Sequence, residues 1–160
     1  MQEFLIREAR KEDMDAVYRL IRELARFEKS PDAVKVTVEQ LMADGFQAHP
    51  KFKCWVAESG EDIQGMALVY SRYSTWVGPV LHLEDLIVTD SWRGFGIGSR
   101  LLDEVVRYGY TLGVKRISWE VLDWNEPAIA FYEERGARVL RDWDVVQLDE
   151  TGIKTYLNIQ

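Results

Sequence analysis

The chain is poor in the residues that build disulfides and metal centres. It has one cysteine, Cys54, and two histidines, His49 and His82, among 160 residues. A lone cysteine forms no internal disulfide and fits a reducing compartment. Two separated histidines and one thiol match no zinc spacing, so no metal is expected. No apolar run approaches the roughly 18–20 residues a membrane span requires, so no membrane partner is expected. No basic stretch followed by an apolar one opens the sequence, so no secretory leader is expected and a cytoplasmic location is. Basic residues are in the minority, 20 Lys and Arg against 27 Asp and Glu. The resulting charge of −7 lacks the positive face that phosphate backbones demand, which excludes nucleic acid as an expected partner. The aromatic side chains, without a basic stripe, do not make a base-stacking surface. Proline is scarce too, and no Pro/Gly/Ser-rich linker, repeat or low-complexity tract divides the chain. One domain over residues 1–160 is expected.

What is present alternates between strand and helix patterns. Phe4-Leu5-Ile6 reads as a first strand. Val17, Leu20, Ile21, Leu24 and Phe27 recur at three- and four-residue steps, which predicts a helix over 13–28. Thr37 with Gln40 resembles a capping box, opening a short helix that stops near Gly45. Segments 53–58 and 63–73 read as strands joined by a turn at Ser59-Gly60-Glu61-Asp62. Segment 82–88 is a further strand candidate, followed by a glycine-rich turn and a helix to about Leu112, with Gly113 as its stop. Segments 116–122, 139–148 and 154–159 are also strand-like. Between them, Asn125 and Pro127 open a helix that Gly136 ends. The fold class is therefore α/β (α+β), a central sheet covered by helices.

The glycine-rich turn is Arg93-Gly94-Phe95-Gly96-Ile97-Gly98-Ser99. Small residues there let a backbone approach a ligand closely, and the N–H groups and dipole of the following helix favour an anion such as a pyrophosphate. It is not a P-loop, because no Gly-Lys-Ser/Thr follows at the required spacing. It is not the dinucleotide fingerprint either, because the third glycine would fall on Ser99 or Leu101. What remains is Arg-x-x-Gly-x-Gly between a strand and a helix. Downstream stands Trp124-Asn125-Glu126-Pro127-Ala128-Ile129-Ala130-Phe131-Tyr132, running on to Gly136-Ala137. Tyr132 lies about two helical turns after Asn125, so both can face one side. A tyrosine, with its ordinary pKa near ~10, can donate a proton to a departing group.

Together the two segments resemble the signature of the GCN5-related N-acetyltransferase (GNAT) family. The resemblance implies a mixed, mostly antiparallel central sheet flanked by helices, with acetyl-CoA as co-substrate. Leu20 to Ala25, Phe27-Glu28, Asp44-Gly45-Phe46, His49-Pro50, Tyr73-Ser74-Thr75-Trp76 and Leu83-Glu84-Asp85 look like the diamine (polyamine) acetyltransferase branch. By that resemblance Leu86, Ile87 and Val88 pair with the pantetheine arm. Arg93, Gly94, Phe95, Gly96, Ile97, Gly98 and Ser99 hold the pyrophosphate, and Asn125 and Ala128 also contact the coenzyme. Phe27, Glu28, Trp76, Glu84 and Asp85 bind the substrate amine. Glu84 relays its proton and Tyr132 acts as general acid. A small-molecule amine and a second copy of the chain are the implied partners, the segment 154–159 being a candidate strand for pairing in a homodimer.

Ser74-Thr75-Trp76 lacks the carboxylate that polyamine enzymes carry before their Pro-Trp. Together with Val121-Leu122-Asp123-Trp124-Asn125, this favours the thialysine-preferring relatives, hence a small lysine-like amine over spermidine. The alternatives are a polyamine or protein N-terminus as acceptor, and a non-catalytic acyl-CoA-binding module. In a regular strand Glu84 and Asp85 point to opposite faces, so both serve one site only if a bulge intervenes. Cys54 has no evident activating base and is expected to be a core thiol. His82 is expected to be a packed or surface histidine, and His49 a loop residue shaping the substrate pocket.

Overall fold

The computed structural model describes residues 3–159. Its central sheet has the order β1-β2-β3-β4-β5, formed by Leu5–Glu8, Lys53–Ser59, Asp62–Ser74, Gly78–Val88 and Ile117–Ser118. The first four strands pair antiparallel in sequence and β5 joins β4 in parallel, so the sheet is mixed and mostly antiparallel. Gly60, at φ +62, supplies the left-handed turn between β2 and β3.

Helix α1 (Met14–Phe27) buries Met14, Val17 and Leu20 on one stripe, as the three- and four-residue spacing predicts. Helix α2 (Val38–Gly45) starts at Thr37, whose hydroxyl accepts the Gln40 N–H at 3.2 Å. Both pack on one sheet face, where Leu41 joins Cys54, Val56, Ile63, Met66, Leu68 and Ile87 in a continuous core. Helix α3 (Ile97–Thr111) covers the opposite face with Ile97, Leu101, Leu102 and Val105, and Tyr108 meets the Trp55 ring edge-on at 5.3 Å. Gly113, at φ +69, follows α3 as expected.

The chain divides into two compact units, Met1–Glu120 and Val121–Gln160. The second contains α4 (Glu126–Glu133) and α5 (Glu150–Tyr156). Asn125 caps α4, its side-chain oxygen accepting the Ala128 N–H at 3.3 Å, and Gly136 ends that segment at φ +85.

Three strand expectations are corrected. The strand expected over 116–122 shortens to Ile117–Ser118, because only Leu81 and His82 pair with it and the Asn125 N–H bonds back to the Leu122 carbonyl, turning the chain. Segment 139–148 forms no strand. Val145 and Val146 have suitable composition, but no neighbouring strand supplies a ladder, and both are exposed. Segment 154–159, expected as a strand, begins inside α5, which runs to Tyr156, and continues as a turn. Asp149 caps that helix by accepting the Gly152 N–H at 2.7 Å, and Lys154 pairs with Glu150 one turn back at 2.6 Å. The support that a C-terminal strand gave to dimerisation goes with it.

Gly65 sets how closely α3 approaches the sheet. A Cβ there would lie 2.8 Å from the Ile87 carbonyl oxygen and 3.2 Å from Ile97 Cγ2. Gly65→Ala is expected to destabilise the protein by about 1–3 kcal/mol, read from the urea midpoint. An unchanged midpoint would show that the contact yields freely.

Candidate active site

The strand β4 carries the chemistry, and a single irregularity decides its geometry. Asp85 pairs with Leu68 and Leu83 with Val69, which leaves Glu84 as an extra residue without a partner on β3. That bulge resets the alternation. His82, Glu84 and Asp85 then share the face that carries Tyr70 and Leu68, whereas Leu83 turns to the face of α3. The condition for both carboxylates to serve one site is met.

Burial pushes the Asp85 carboxyl up to about 7, with further contributions from the charges of Glu84 and Glu28. Glu28 stands just past the end of α1, and burial raises its carboxyl as well. Three carboxyls of one sign thus act on the same region, an arrangement that favours a cation. Beyond His82, β4 has no ladder partner on the side of β5 among the described residues. Alternate N–H groups from Leu83 to Val88 therefore point away from β3 without a strand to meet.

His82 is more than a packed histidine. It is buried, and its Nδ1 lies 3.1 Å from Ser118 Oγ and 3.5 Å from Arg72 Nη1. A guanidinium only donates, so its contact is satisfied by the tautomer in which Nδ1 accepts and Nε2 carries the proton. Nε2 faces Glu84 Oε2 at 3.7 Å, a polar contact longer than a hydrogen bond. Burial lowers the His82 pKa and keeps the ring neutral, with the Glu84 charge opposing that shift. The Tyr70 ring lies 5.0 Å from it. Sequence reasoning missed Arg72 and Tyr70 and expected His82 to be a packed or surface histidine. The available signal was the two-residue step from His82 to Glu84, which strand alternation puts on one face.

The glycine-rich turn begins after Val88. Gly94 and Gly96 hold φ of +81 and +84, and an added Cβ at either would meet nothing within 4 Å. Glycine is thus required by conformation, with open space beside it for a ligand. The first i→i−4 bond of α3 runs from the Arg100 N–H to the Gly96 carbonyl, so the helix opens directly out of the glycine turn and its dipole favours an anion there. Arg93 donates to the Val88 carbonyl at 3.2 Å, pairs with Asp90 at 3.1 Å and lies over the Phe27 ring at 5.3 Å. Phe27 therefore supports the turn, while Glu28 acts on Asp85. A further unforeseen residue, Glu23, accepts from the Thr89 hydroxyl at 2.6 Å and the Asp90 N–H at 3.1 Å. It lies one helical turn before Phe27, so α1 braces the turn at two points. The cradle fits a pyrophosphate.

Trp76 sits in the β3–β4 connection, 79% exposed, with its backbone N–H donating to Ser74 Oγ at 3.2 Å. A cavity of about 520 Å³ opens where β2 begins, lined by Phe46, Pro50, Phe52, Tyr70 and Tyr108 among others. His49, expected to shape the substrate pocket, is not among the lining residues, whereas its neighbour Pro50 is, together with Tyr70, whose ring lies beside His82. In the second unit, Tyr132 lies on α4 and burial raises its hydroxyl pKa. Cys54 is buried in the core, which raises its thiol pKa far out of the reactive range, so it is no nucleophile. No group of three or more metal-ligating side chains occurs among the described residues, and no described helix is long and apolar enough to cross a membrane.

Residues 14–137 match the acetyltransferase (GNAT) family. The chain is 41% identical to a thialysine N-epsilon-acetyltransferase from Sus scrofa over 150 residues, covering 89% of this chain and 88% of the relative. It is 38% identical to the human spermidine/spermine N(1)-acetyltransferase-like protein 1, covering 86% of this chain and 21% of that protein. Among solved structures, an integron cassette protein from V. cholerae shares the fold, with a TM-score of 0.76 at 23% identity over 98% of both chains.

The raised Asp85 carboxyl has a consequence for stability. The folded state keeps a proton that the unfolded chain has already lost, so ionisation opposes folding. The cost is absent below the ordinary aspartate range and complete above pH about 7. Asp85→Asn is expected to be more stable than the parent at pH 8 by about 1–3 kcal/mol, the gap closing as pH falls toward about 4. A gap independent of pH, in melts across that range, would contradict the assignment.

Proposed function

The chain belongs to the acetyltransferase (GNAT) family, and from that premise we propose that it transfers acetyl from acetyl-CoA to the side-chain amine of a small lysine-like amino acid, thialysine or a close analogue. Identity of about 40% to thialysine N-epsilon-acetyltransferases over most of the chain supports this acceptor. The observation that carries the chemistry is the bulge at Glu84, which puts two carboxylates on one face beside an unpaired stretch of β4.

Acetyl-CoA supplies an acetyl thioester open to attack by a neutral amine. The turn from Arg93 to Ser99 holds its pyrophosphate, Leu86 to Val88 its pantetheine arm, and Asn125 and Ala128 make further contacts. A lysine-like amine has a pKa near ~10.4 and arrives as an ammonium. Glu28 and Asp85 attract it, Phe27 and Trp76 bound its path, and Glu84 takes the proton, directly or through a water. A backbone N–H of the Ile87–Val88 stretch steadies the oxygen of the attacked carbonyl, worth about 3–4 kcal/mol for such a donor. Tyr132 returns a proton to the departing sulfur; its raised pKa keeps it protonated at neutral pH. The protein works as a cytoplasmic homodimer of single-domain subunits in this reading, and a monomeric mass by light scattering would remove the dimer.

A polyamine acceptor is the second reading, supported by the identity to the spermidine/spermine acetyltransferase-like protein. A non-catalytic acyl-CoA-binding module would have no use for Glu84 or Tyr132. Thiol release from acetyl-CoA separates the three, measured with thialysine, lysine, ornithine, putrescine, spermidine and spermine. Thialysine or lysine exceeding spermidine is expected; the reverse order would establish the polyamine reading, and coenzyme binding without any release the binding module. With the best acceptor, Tyr132→Phe is expected to lower kcat by about 10²-fold or more with coenzyme affinity nearly unchanged. Undiminished turnover would remove Tyr132 from the role of acid.

A further inference from the structure

The face of β3 and β4 that carries the acids also carries one cation with no carboxylate partner. Arg72 pairs in register with Val80 on β4, and strand alternation puts it on the side of Tyr70. Its Nη1 lies 3.5 Å from His82 Nδ1, and it forms no ion pair among the described residues. This is unusual company. Glu84 lies on the other ring nitrogen at 3.7 Å, and the charges of Glu84 and Glu120 both reach His82. The acids have not drawn Arg72 into a salt bridge. Instead the buried imidazole, fixed by Ser118 at 3.1 Å, stands between the guanidinium and the Glu84 carboxylate. It holds the two charges one ring and two contact distances apart.

A cation and an anion kept apart on one face suit a molecule that carries the opposite charges at its two ends. The side-chain amine and the α-carboxylate of an extended lysine-like amino acid lie on the order of 7 Å apart, given bonds near 1.5 Å. With its amine at Glu84, such a molecule can set its carboxylate at Arg72, where the planar guanidinium offers two parallel N–H donors. A diamine or polyamine of the same length would bring a second cation to Arg72 instead, against like-charge repulsion.

We propose that Arg72 is the specificity-determining residue of the amine site, binding the α-carboxylate of the acceptor, so that the preferred acceptors are zwitterionic amino acids. The inference rests on the acetyltransferase reading for the position of the amine, and it deepens that reading by giving the carboxylate end its own partner. His82 acts as a positioning residue, separating the two charges without neutralising either.

The test compares an amino acid with the same amine lacking its carboxylate. Lysine and 1,5-diaminopentane form such a pair, and thialysine and bis(2-aminoethyl) sulfide form another. KM and kcat are measured for the parent, Arg72→Gln and Arg72→Lys, with calorimetric binding of each amine alongside. Arg72 is exposed and outside the core, so both variants are expected to fold. In Arg72→Gln, KM for lysine and thialysine is expected to rise about 10-fold to 100-fold, as for loss of a charged hydrogen bond. KM for the two diamines should stay level or fall, and kcat should change little throughout. Arg72→Lys should recover part of the loss for the amino acids only. An equal change for both members of a pair, or no change for either, would overturn the proposal. If the parent turns over no amine, the acetyltransfer reading fails by itself. The calorimetric ratio of amino acid to diamine still decides the carboxylate role: a ratio unaltered by Arg72→Gln would overturn it and a collapsed ratio would uphold it.

Discussion

One extra residue in one strand governs the site. Without the bulge at Glu84, β4 would continue its strict alternation and Asp85 would face α3 and the apolar side chains around Leu101. With it, Asp85 joins Glu84 and His82 on the opposite face, where Leu68 and Tyr70 lie across the ladder. The cost is a break in the pairing with β3, and the strand tolerates it because the rest of the register, from Ser74–Gly78 to Gly65–Val88, is intact. The same strand loses β5 as a neighbour after His82. Acid groups and free backbone donors therefore arise together on one short stretch. Proton removal and oxyanion stabilisation need that conjunction.

Helix α1 ties this stretch to the coenzyme turn. Its buried stripe anchors it to the sheet through Met14, Val17 and Leu20, which fixes where its last turns project. Glu23 then holds Thr89 and Asp90, Phe27 backs the Arg93 guanidinium, and Glu28 adds charge near Asp85. A helix that reads as core packing in the sequence thus links the groups proposed for coenzyme and for amine. A shift of α1 would disturb both.

Much of this was legible in the sequence. The helical spacing of Val17, Leu20, Ile21 and Leu24, the Thr37 and Asn125 caps, and the glycines after α3 and α4 carry strong local signals. So does the glycine turn, because left-handed backbone at Gly94 and Gly96 requires the residue found there. The bulge was not legible: alternation treats every residue of a strand alike, and only pairing with Leu68 and Val69 reveals the extra one. The C-terminal segments failed for a related reason. Val145, Val146 and Ile159 have strand composition, but a strand exists only with a neighbour, whereas Asp149 and Glu150 give α5 a local cap and a charge pair. Arg72 escaped notice because a lone arginine on a strand carries no motif, and its meaning comes from the imidazole across the ladder.

A crystal structure of the protein with a covalent conjugate of coenzyme A and thialysine tests the central claim most directly. The account predicts the conjugate's amine nitrogen on the face of Glu84 and Asp85, within roughly 3 Å of the Glu84 carboxylate or joined to it by one water. An amine seated on the α3 face of the sheet, or one with no carboxylate of β4 in reach, would contradict it.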